Sequence, residues 1–519
     1  MNLCEVDASL FGVTIKKLNV MNSYVATGMN PINYDKNEDN EMDCLTIDWK
    51  KENLVKVRDD IRPARLEWND VEHPYFKADE VSPVWYKNKK NDVGENCITV
   101  NDLRSRIEPW LTALFQSEHL SLLVGSGLTT SISHISGAGT ATDMDFDGLE
   151  NCKDIIDSQI QSYASAAGRN SPNIEDYIRL ANELLRGLEI LNDSRQDALR
   201  NELNDVLKTF ADSILLSERK IVIAENSENA FNYLISFLMS FASRSGTRDR
   251  LNIFTTNYDR IIEEGADLAG LHLLDRFVGR LNPIFRSSRL NIDMHYNPPG
   301  IRGEPRYLEG VARFTKLHGS VDWIQVQPSS QKQNIIRRVG LPLGAANVTD
   351  YFNAPGLYGA GALKMMVYPN AAKDRETAMY PYVDLFRDMA AAICRPNSTL
   401  VTFGYGFGDE HINRIIKDML TIPSTHLVVI AFEDPQSRII KTYEDVGRDG
   451  QISLLLGHEF GDLKKLVDNY LPKSSIDKTT YKLGEILKTR HMVNDSAEIS
   501  ADNGPLKPEA KMSDEGTEK

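Results

Sequence analysis

Cysteine is scarce in this chain and never closely paired: Cys4, Cys44, Cys97, Cys152 and Cys394 are the five in 519 residues, and no two stand in a Cys-x-x-Cys spacing. That excludes a disulfide-stapled fold and a cysteine zinc ribbon, and fits reduced thiols. His411, His426 and His458 show no ligand spacing with one another or with a cysteine, so no metal is expected. Long hydrophobic runs are also missing. The most apolar helical stretch, 231–242, falls well short of the roughly 20 residues a bilayer requires and runs into Arg244, which makes it a core helix rather than a membrane span. The first residues lack a basic cluster and a long apolar block, so no secretory signal is expected and the cytoplasm is the expected compartment. Positive charge is in deficit: the net charge of −15 argues against general or sequence-specific nucleic-acid binding. Arg280, Arg286, Arg289, Arg302, Arg306 and Arg313 are read as solvated loop charges, of which one or two could meet a phosphate.

What is present is enough apolar content, 41%, for at least one large core, with room for two or three domains. Residues 1–98 are polar and irregular, with an acidic run over 35–43 and prolines at 63, 74 and 83. They are expected to form an arm anchored by Trp68, Tyr75, Phe76, Trp85 and Tyr86. The catalytic domain is expected over 99–475, starting with a helical pattern from Leu103 to Phe115. Residues of about 146–245 show helical periodicity throughout, with one face on Ile174, Tyr177, Ile178, Ala181, Leu184, Leu185 and Leu188. They are read as an all-helical insertion, either a lid over a ligand cleft or a plain packing subdomain. Strand-like runs at 251–254, 313–317, 365–368, 400–403, 427–432 and 452–456 alternate with helices at 382–392 and 410–420. The alternation implies an α/β fold with a doubly wound, mostly parallel, Rossmann-like sheet. From 476 to 519 the chain is polar and aperiodic, as in a disordered tail.

Chemistry concentrates in loops that follow strand-like runs. Leu120 to Val124 leads into Gly125-Ser126-Gly127-Leu128-Thr129, a strand, tight glycine turn and helix start that lets backbone approach a pyrophosphate. No Walker lysine follows, so a dinucleotide is the better ligand than ATP. Thr255-Thr256-Asn257-Tyr258-Asp259 and, later, Leu317-His318-Gly319 place an Asn, an Asp and a His at further strand ends. An Asn amide both donates and accepts hydrogen bonds, and a neutral His removes a proton near pH 7. His-Gly alone reads as an ordinary loop histidine; its position after Asn257 favours a catalytic role. Asp259 is either part of that set or a helix N-cap. Gly404 and Asp409 follow the buried strand 400–403 and either approach the cofactor or form a strand-to-helix turn capped by Asp409. Glu433 either accepts from adenosine ribose hydroxyls or belongs to the turn before Pro435.

The glycine turn, the Thr-x-Asn-x-Asp segment, His318-Gly319 and Gly404-Tyr-Gly-Phe-Gly-Asp409, in that order, resemble the sirtuin-like NAD-consuming family over roughly residues 100–475. The last segment is similar to that of bacterial NAD hydrolases of antiphage defence. Ser126, Thr129 and Gly406 replace residues usual in the family. The resemblance implies NAD as substrate, bound by Gly125, Ser126, Gly127, Thr129, Thr255, Thr256, Gly404, Asp409 and Glu433. It also implies that Asn257 positions ribose or water, with His318 the general base and Asp259 in the catalytic set. Sirtuin deacylases carry a zinc ribbon that this sequence lacks, which favours an NAD hydrolase over a deacylase; a noncatalytic NAD or ADP-ribose sensor is the reading from another class. The resemblance further implies a homo-oligomer or a complex with a HerA-type ATPase.

Overall fold

The segments His119–Val124, Ser398–Phe403 and Ile452–Leu456 are buried at every position. Strands of that kind need cover on both faces, as in the centre of a parallel sheet flanked by helices. The computed structural model of the protein contains that sheet. It describes residues 47–473 other than 50, 59, 70–74, 79–96, 140–145, 147, 167–170, 245–248, 288–291, 297–305, 327–334, 341–342, 346, 350–361 and 368–379. All described residues fall in the larger of two compact units, Leu45–Lys519. The acidic run 35–43, Trp85, Tyr86, Arg289, Arg302 and the tail 476–519 lie outside the described residues.

In chain order the main sheet is built from β1 (Glu52–Lys56), β2 (Ala64–Asn69), β3 (Tyr75–Ala78), β4 (Cys97–Ile98), β5 (His119–Val124) and β6 (Leu251–Thr255). It continues with β7 (His272–Leu274), β8 (Val311–Lys316), β9 (Ser398–Phe403), β10 (His426–Ala431) and β11 (Ile452–Leu456). Across the 11-stranded sheet the order is β4-β3-β2-β1-β11-β10-β9-β5-β6-β8-β7. From β11 to β7 every pairing is parallel. The chain enters at β5, winds outward through β6 to β8, then returns to β9 on the other side of β5 and winds out through β10 and β11. The point where the winding reverses, between β5 and β9, is where an open α/β sheet leaves a crevice at the carboxyl ends of its strands.

The stretch expected to be an irregular arm contains β1 to β4, which extend the sheet beyond β11 by antiparallel pairing. Phe76 is wholly buried, and Trp68 packs on it with ring centroids 4.6 Å apart. Two buried polar residues hide this strand run in the sequence: Lys56, whose ammonium donates to the carbonyls of Asp449 and Ile452, and Asn53, which accepts the Glu459 N–H. The helices are α1 (Val100–Phe115), α2 (Ser126–Ser136), α3 (Lys153–Ala166), α4 (Ile174–Leu191), α5 (Gln196–Ile223) and α6 (Ser227–Ala242). After them come α7 (Ile261–Ala269), α8 (Tyr382–Ile393), α9 (Glu410–Leu420) and α10 (Arg438–Val446). No helix among the described residues is long and apolar enough to cross a membrane.

The expected helical insertion divides in two. Helix α6 joins the main core through Phe231, Leu234, Phe237, Leu238 and Phe241, and packs on α2 and α7 as a layer of the doubly wound fold. Helices α3 to α5 share a separate core with Val321, Ile324, Val339 and Met365. Those four residues belong to or border a second, five-stranded antiparallel sheet that runs Met365–Val367, Gly319–Val326, Ile335–Arg338, Ile284–Phe285, Phe277–Val278. The strand expected near 365–368 therefore belongs to this small sheet and not to the parallel one. Its three apolar residues pair with Gly319–Val326, a partner that periodicity within a single run cannot reveal.

At the reversal point the loops after β5 and β9 touch backbone to backbone. The Gly125 N–H donates to the Phe403 carbonyl and the Gly127 N–H to the Gly404 carbonyl, at 3.0 and 3.1 Å. Gly404 has φ +60°, and a Cβ there would lie 2.6 Å from the Gly127 Cα. An alanine in a left-handed conformation costs about 1–2 kcal/mol before any clash is counted. Gly404→Ala is expected to lower stability by more than that, measured as the urea midpoint. Gly406→Ala, with nothing within 4 Å of its Cβ, should stay within about 0.5 kcal/mol of the parent. Equal midpoints for the two variants would contradict the close approach described.

Candidate functional site

Four adjacent strands, β9, β5, β6 and β8, deliver their following loops to one crest. Thr255 and Lys316 are paired in register at the ends of β6 and β8, so Asn257 and His318 each emerge two residues beyond the same rung. Thr255 is 1% exposed, donates to the Val124 carbonyl and accepts the Asn257 N–H, so its hydroxyl shapes the turn and is not presented to a ligand. Thr256 is half-buried and its N–H donates to the same Val124 carbonyl.

The side chain of Asn257, 7% exposed, donates through Nδ2 to the Gly125 carbonyl at 3.1 Å and to Thr129 Oγ1 at 3.0 Å. Thr129 in turn donates to Asp259 Oδ2 at 2.7 Å, and Asp259 Oδ1 accepts the Ile261 N–H at the start of α7. A hydroxyl has one proton, so Thr129 must accept from Asn257. This ordered chain fixes which end of the amide is which and assigns Oδ1 of Asn257 as the acceptor left for a ribose hydroxyl or a water. Asp259 thus joins the chain from Asn257 through Thr129 and also accepts the N–H of Ile261, the first residue of α7. Ser126 is exposed at the N-terminus of α2. Gly404 seats the first glycine turn.

His318 stands between β8 and the strand Gly319–Val326, where Gly319 has φ +85°, a turn that a β-carbon would strain. Its Nε2 lies 2.6 Å from Asp409 Oδ2, with side-chain exposures of 14% and 5%. A carboxylate accepts, so Nε2 carries the proton and Nδ1 is the basic nitrogen of the neutral ring. Asp409 precedes α9 but makes no side-chain cap bond to it; the carboxylate is turned to His318 instead. The loop that presents it is held by Tyr405, whose hydroxyl donates to Asn413 Oδ1 at 3.0 Å and lies 3.3 Å from the Asp409 carbonyl, and by Asn413, which donates to the Phe407 carbonyl. Glu433 is exposed beyond β10, while its neighbour Asp434 is buried and accepts the Ile439 and Ile440 N–H groups of α10. Glu433 is thus not drawn into the network of the other site residues. No group of His, Cys, Asp and Glu able to hold a metal is found among the described residues.

Residues 251–448 match the family model described as SIR2-like domain. That stretch of the chain is similar to SIR2-like domains. No curated protein matches the sequence. The matched SIR2-like residues include Asn257, Asp259, His318, Gly404, Asp409 and Glu433, whereas the Gly125 turn precedes them in the chain and joins them through the fold. A SIR2-like domain points to NAD-related activity, and the glycine turn at the sheet's reversal point suits a dinucleotide.

Several polar groups that support the SIR2-like site carry no motif. Arg260 and Glu218 form a buried ion pair at 2.7 Å, with Glu218 also accepting the Arg260 N–H, so α5 grips the loop that holds Asn257. Lys316, 2% exposed, meets Glu263 Oε1 at 2.9 Å. The other oxygen, Oε2, is buried with no hydrogen-bond partner. Burial pushes the Glu263 carboxyl up to about 7, and Lys316 acts against that rise. A lysine closing a buried strand is the one sequence signal that could have marked this pair, because such lysines are almost never buried unpaired.

Two outcomes are expected. Asp409→Asn should lower turnover by about 10²-fold or more, and its thermal melt should fall no further than that of His318→Ala, since what is lost is the buried bond between the two and not a cap; a cap role would show a larger fall for Asp409→Asn alone. Second, Glu263 holds in the folded state a proton that the unfolded chain releases near its ordinary value of 4.5. Its contribution to stability is therefore fully present below that value and is lost as pH rises toward about 7. Urea titrations across this window should show that slope in the parent and a flatter one in Glu263→Gln.

Proposed function

We propose that the protein is an NAD glycohydrolase that releases nicotinamide and ADP-ribose. The observation that carries this reading is the His318–Asp409 pair beside an Asn257 whose amide is fixed in one orientation, at the crest of a SIR2-like sheet. Cleavage breaks the bond between ribose C1′ and the nicotinamide nitrogen, the electron pair leaving with neutral nicotinamide. Oxocarbenium character develops on the ribose, water adds to C1′, and the water's proton goes to Nδ1 of His318. Asn257 Oδ1 holds a ribose hydroxyl or that water, and Asp409 keeps the imidazole in the required tautomer.

The biological setting proposed with it is antiphage defence by NAD depletion, supported by the likeness of the 404–409 segment to that of bacterial NAD hydrolases. Assembly as a homo-oligomer or with a HerA-type ATPase is proposed on the same likeness. An NAD-dependent deacylase is the second enzyme reading; the sequence offers it no cysteine ribbon.

The test is to incubate the purified chain with NAD and separate the products by chromatography, alongside Asn257→Ala and His318→Ala. Nicotinamide and ADP-ribose in equal amounts are expected from the parent, with losses of about 10²- to 10⁴-fold in each variant. Full turnover in both variants, or NAD-dependent deacylation of an acyl-lysine peptide by the parent, would sink the proposal.

A further inference from the structure

The backbone of Tyr258 and Asp259 is held by more groups than a surface loop needs. The Lys316 ammonium donates to the Tyr258 carbonyl at 3.5 Å and to the Asp259 carbonyl, and reaches Glu263 Oε1 at 2.9 Å. An ammonium has three protons, and here each has an acceptor. The Tyr258 carbonyl also accepts the Val321 N–H at 3.0 Å and the Ser320 hydroxyl at 3.3 Å. Lys316, Ser320 and Val321 flank His318, so the segment bearing the histidine is the one that clasps the loop bearing Asn257. An arginine would not serve equally, since its planar fork cannot converge on acceptors in three directions as a tetrahedral ammonium does.

We infer that Lys316 is a positioning residue for NAD cleavage: through the Tyr258 and Asp259 carbonyls it sets the Asn257 amide relative to the His318 ring. The inference rests on the glycohydrolase reading of the site. Glu263 anchors the ammonium from the first turn of α7. Facing this pair are Asp322, 5% exposed with its Oδ1 buried and unbonded, and the residues Asp275, Arg276 and Arg338 around a cavity of about 10 Å³ that Glu263 and Lys316 also line. Arg338 pairs with Asp275 and Arg276 with Asp388, which leaves Lys316 as the cation hydrogen-bonded to Glu263.

The experiment uses the double variant Lys316→Met with Glu263→Gln, so that no buried charge loses its partner, and compares it with the parent and His318→Ala. Steady-state kinetics with NAD and amide hydrogen exchange of residues 256–261 are read together; Thr256, Asn257, Arg260 and Ile261 all have bonded N–H groups there. Expected are a kcat lower by about 10²-fold, a KM for NAD within about threefold, and faster exchange in 256–261 with β6 and β8 still protected. Unchanged exchange overturns the inference whatever the activity, and so does a double variant with full kcat. A parent protein that leaves NAD intact while the exchange responds as expected overturns the glycohydrolase reading, and the clasp on the loop stands.

Discussion

Everything at the crest depends on two glycine loops being able to share one layer of backbone. Winding that leaves β5 in one direction and returns to β9 in the other brings two strand ends side by side with nothing crossing between them. Side chains would prise those ends apart: a Cβ on Gly125 would stand 2.3 Å from the Gly404 carbonyl oxygen, and one on Gly127 2.6 Å from the Gly404 Cα. With hydrogens there instead, the Gly125 carbonyl is placed to accept a hydrogen bond from the Asn257 amide, and the loop that continues from Gly404 carries Asp409 to His318. The glycines therefore act by what they let neighbouring loops do, and their conformational freedom is needed at Gly404 alone among the three.

The loop from Thr255 to Arg260 is the second dependent feature. Val124 and Gly125 hold its start, Thr129 its Asn and Asp side chains, Lys316 and Val321 its Tyr258 carbonyl, and Glu218 its Arg260. Each of these bonds nets only about 1 kcal/mol, but losing one partner of the buried Arg260–Glu218 pair costs about 3–5 kcal/mol because the other charge is stranded. Glu218 belongs to α5, which packs with α3, α4 and the small sheet from Leu199 to Leu215 and joins the main core at Ile221. Tyr258 extends the same link: its ring sits 6.0 Å from Phe210 of α5 and 6.2 Å from His318. One of the helices first read as a lid or a packing subdomain, α5, is thus bonded directly to the backbone of the site. Any shift of α5 along its axis has to move Arg260 or break the ion pair.

How much of this was visible in the sequence follows from the range over which each signal acts. The parallel strands at 119–124, 398–403 and 452–456 are short apolar runs with local punctuation, and the order of Gly125, Asn257, His318 and Gly404 along the chain matches their meeting at the crest. Strand β1 was hidden because Asn53 and Lys56 look exposed until Glu459, Asp449 and Ile452, some four hundred residues later, supply their partners. The boundary at α6 was hidden for the opposite reason: its apolar face is as periodic as those of α4 and α5, and periodicity does not say which core a helix joins. Asp409 shows the limit most sharply. A carboxylate just ahead of a helix is the sequence pattern of a cap, and only the fold reveals that it turns away to His318.

The electrostatics of the crest bear on which reaction it suits. Phosphoryl transfer needs cations at the reacting centre to meet charge on equatorial oxygens. Here the described groups around Asn257 and His318 include several acceptors: an amide oxygen, the carboxylates of Asp259 and Asp409, and the carbonyls of Gly125 and Val124. Lys316 is directed at two carbonyls and Glu263, and Arg260 is locked to Glu218. Both positive charges act on the loop rather than on whatever the loop holds. A ribose that becomes cationic as its leaving group departs finds fixed negative and partially negative atoms that need no reorganisation. The same polarity suits a leaving group that departs neutral, as nicotinamide does, and leaves the His318–Asp409 pair to handle the attacking water.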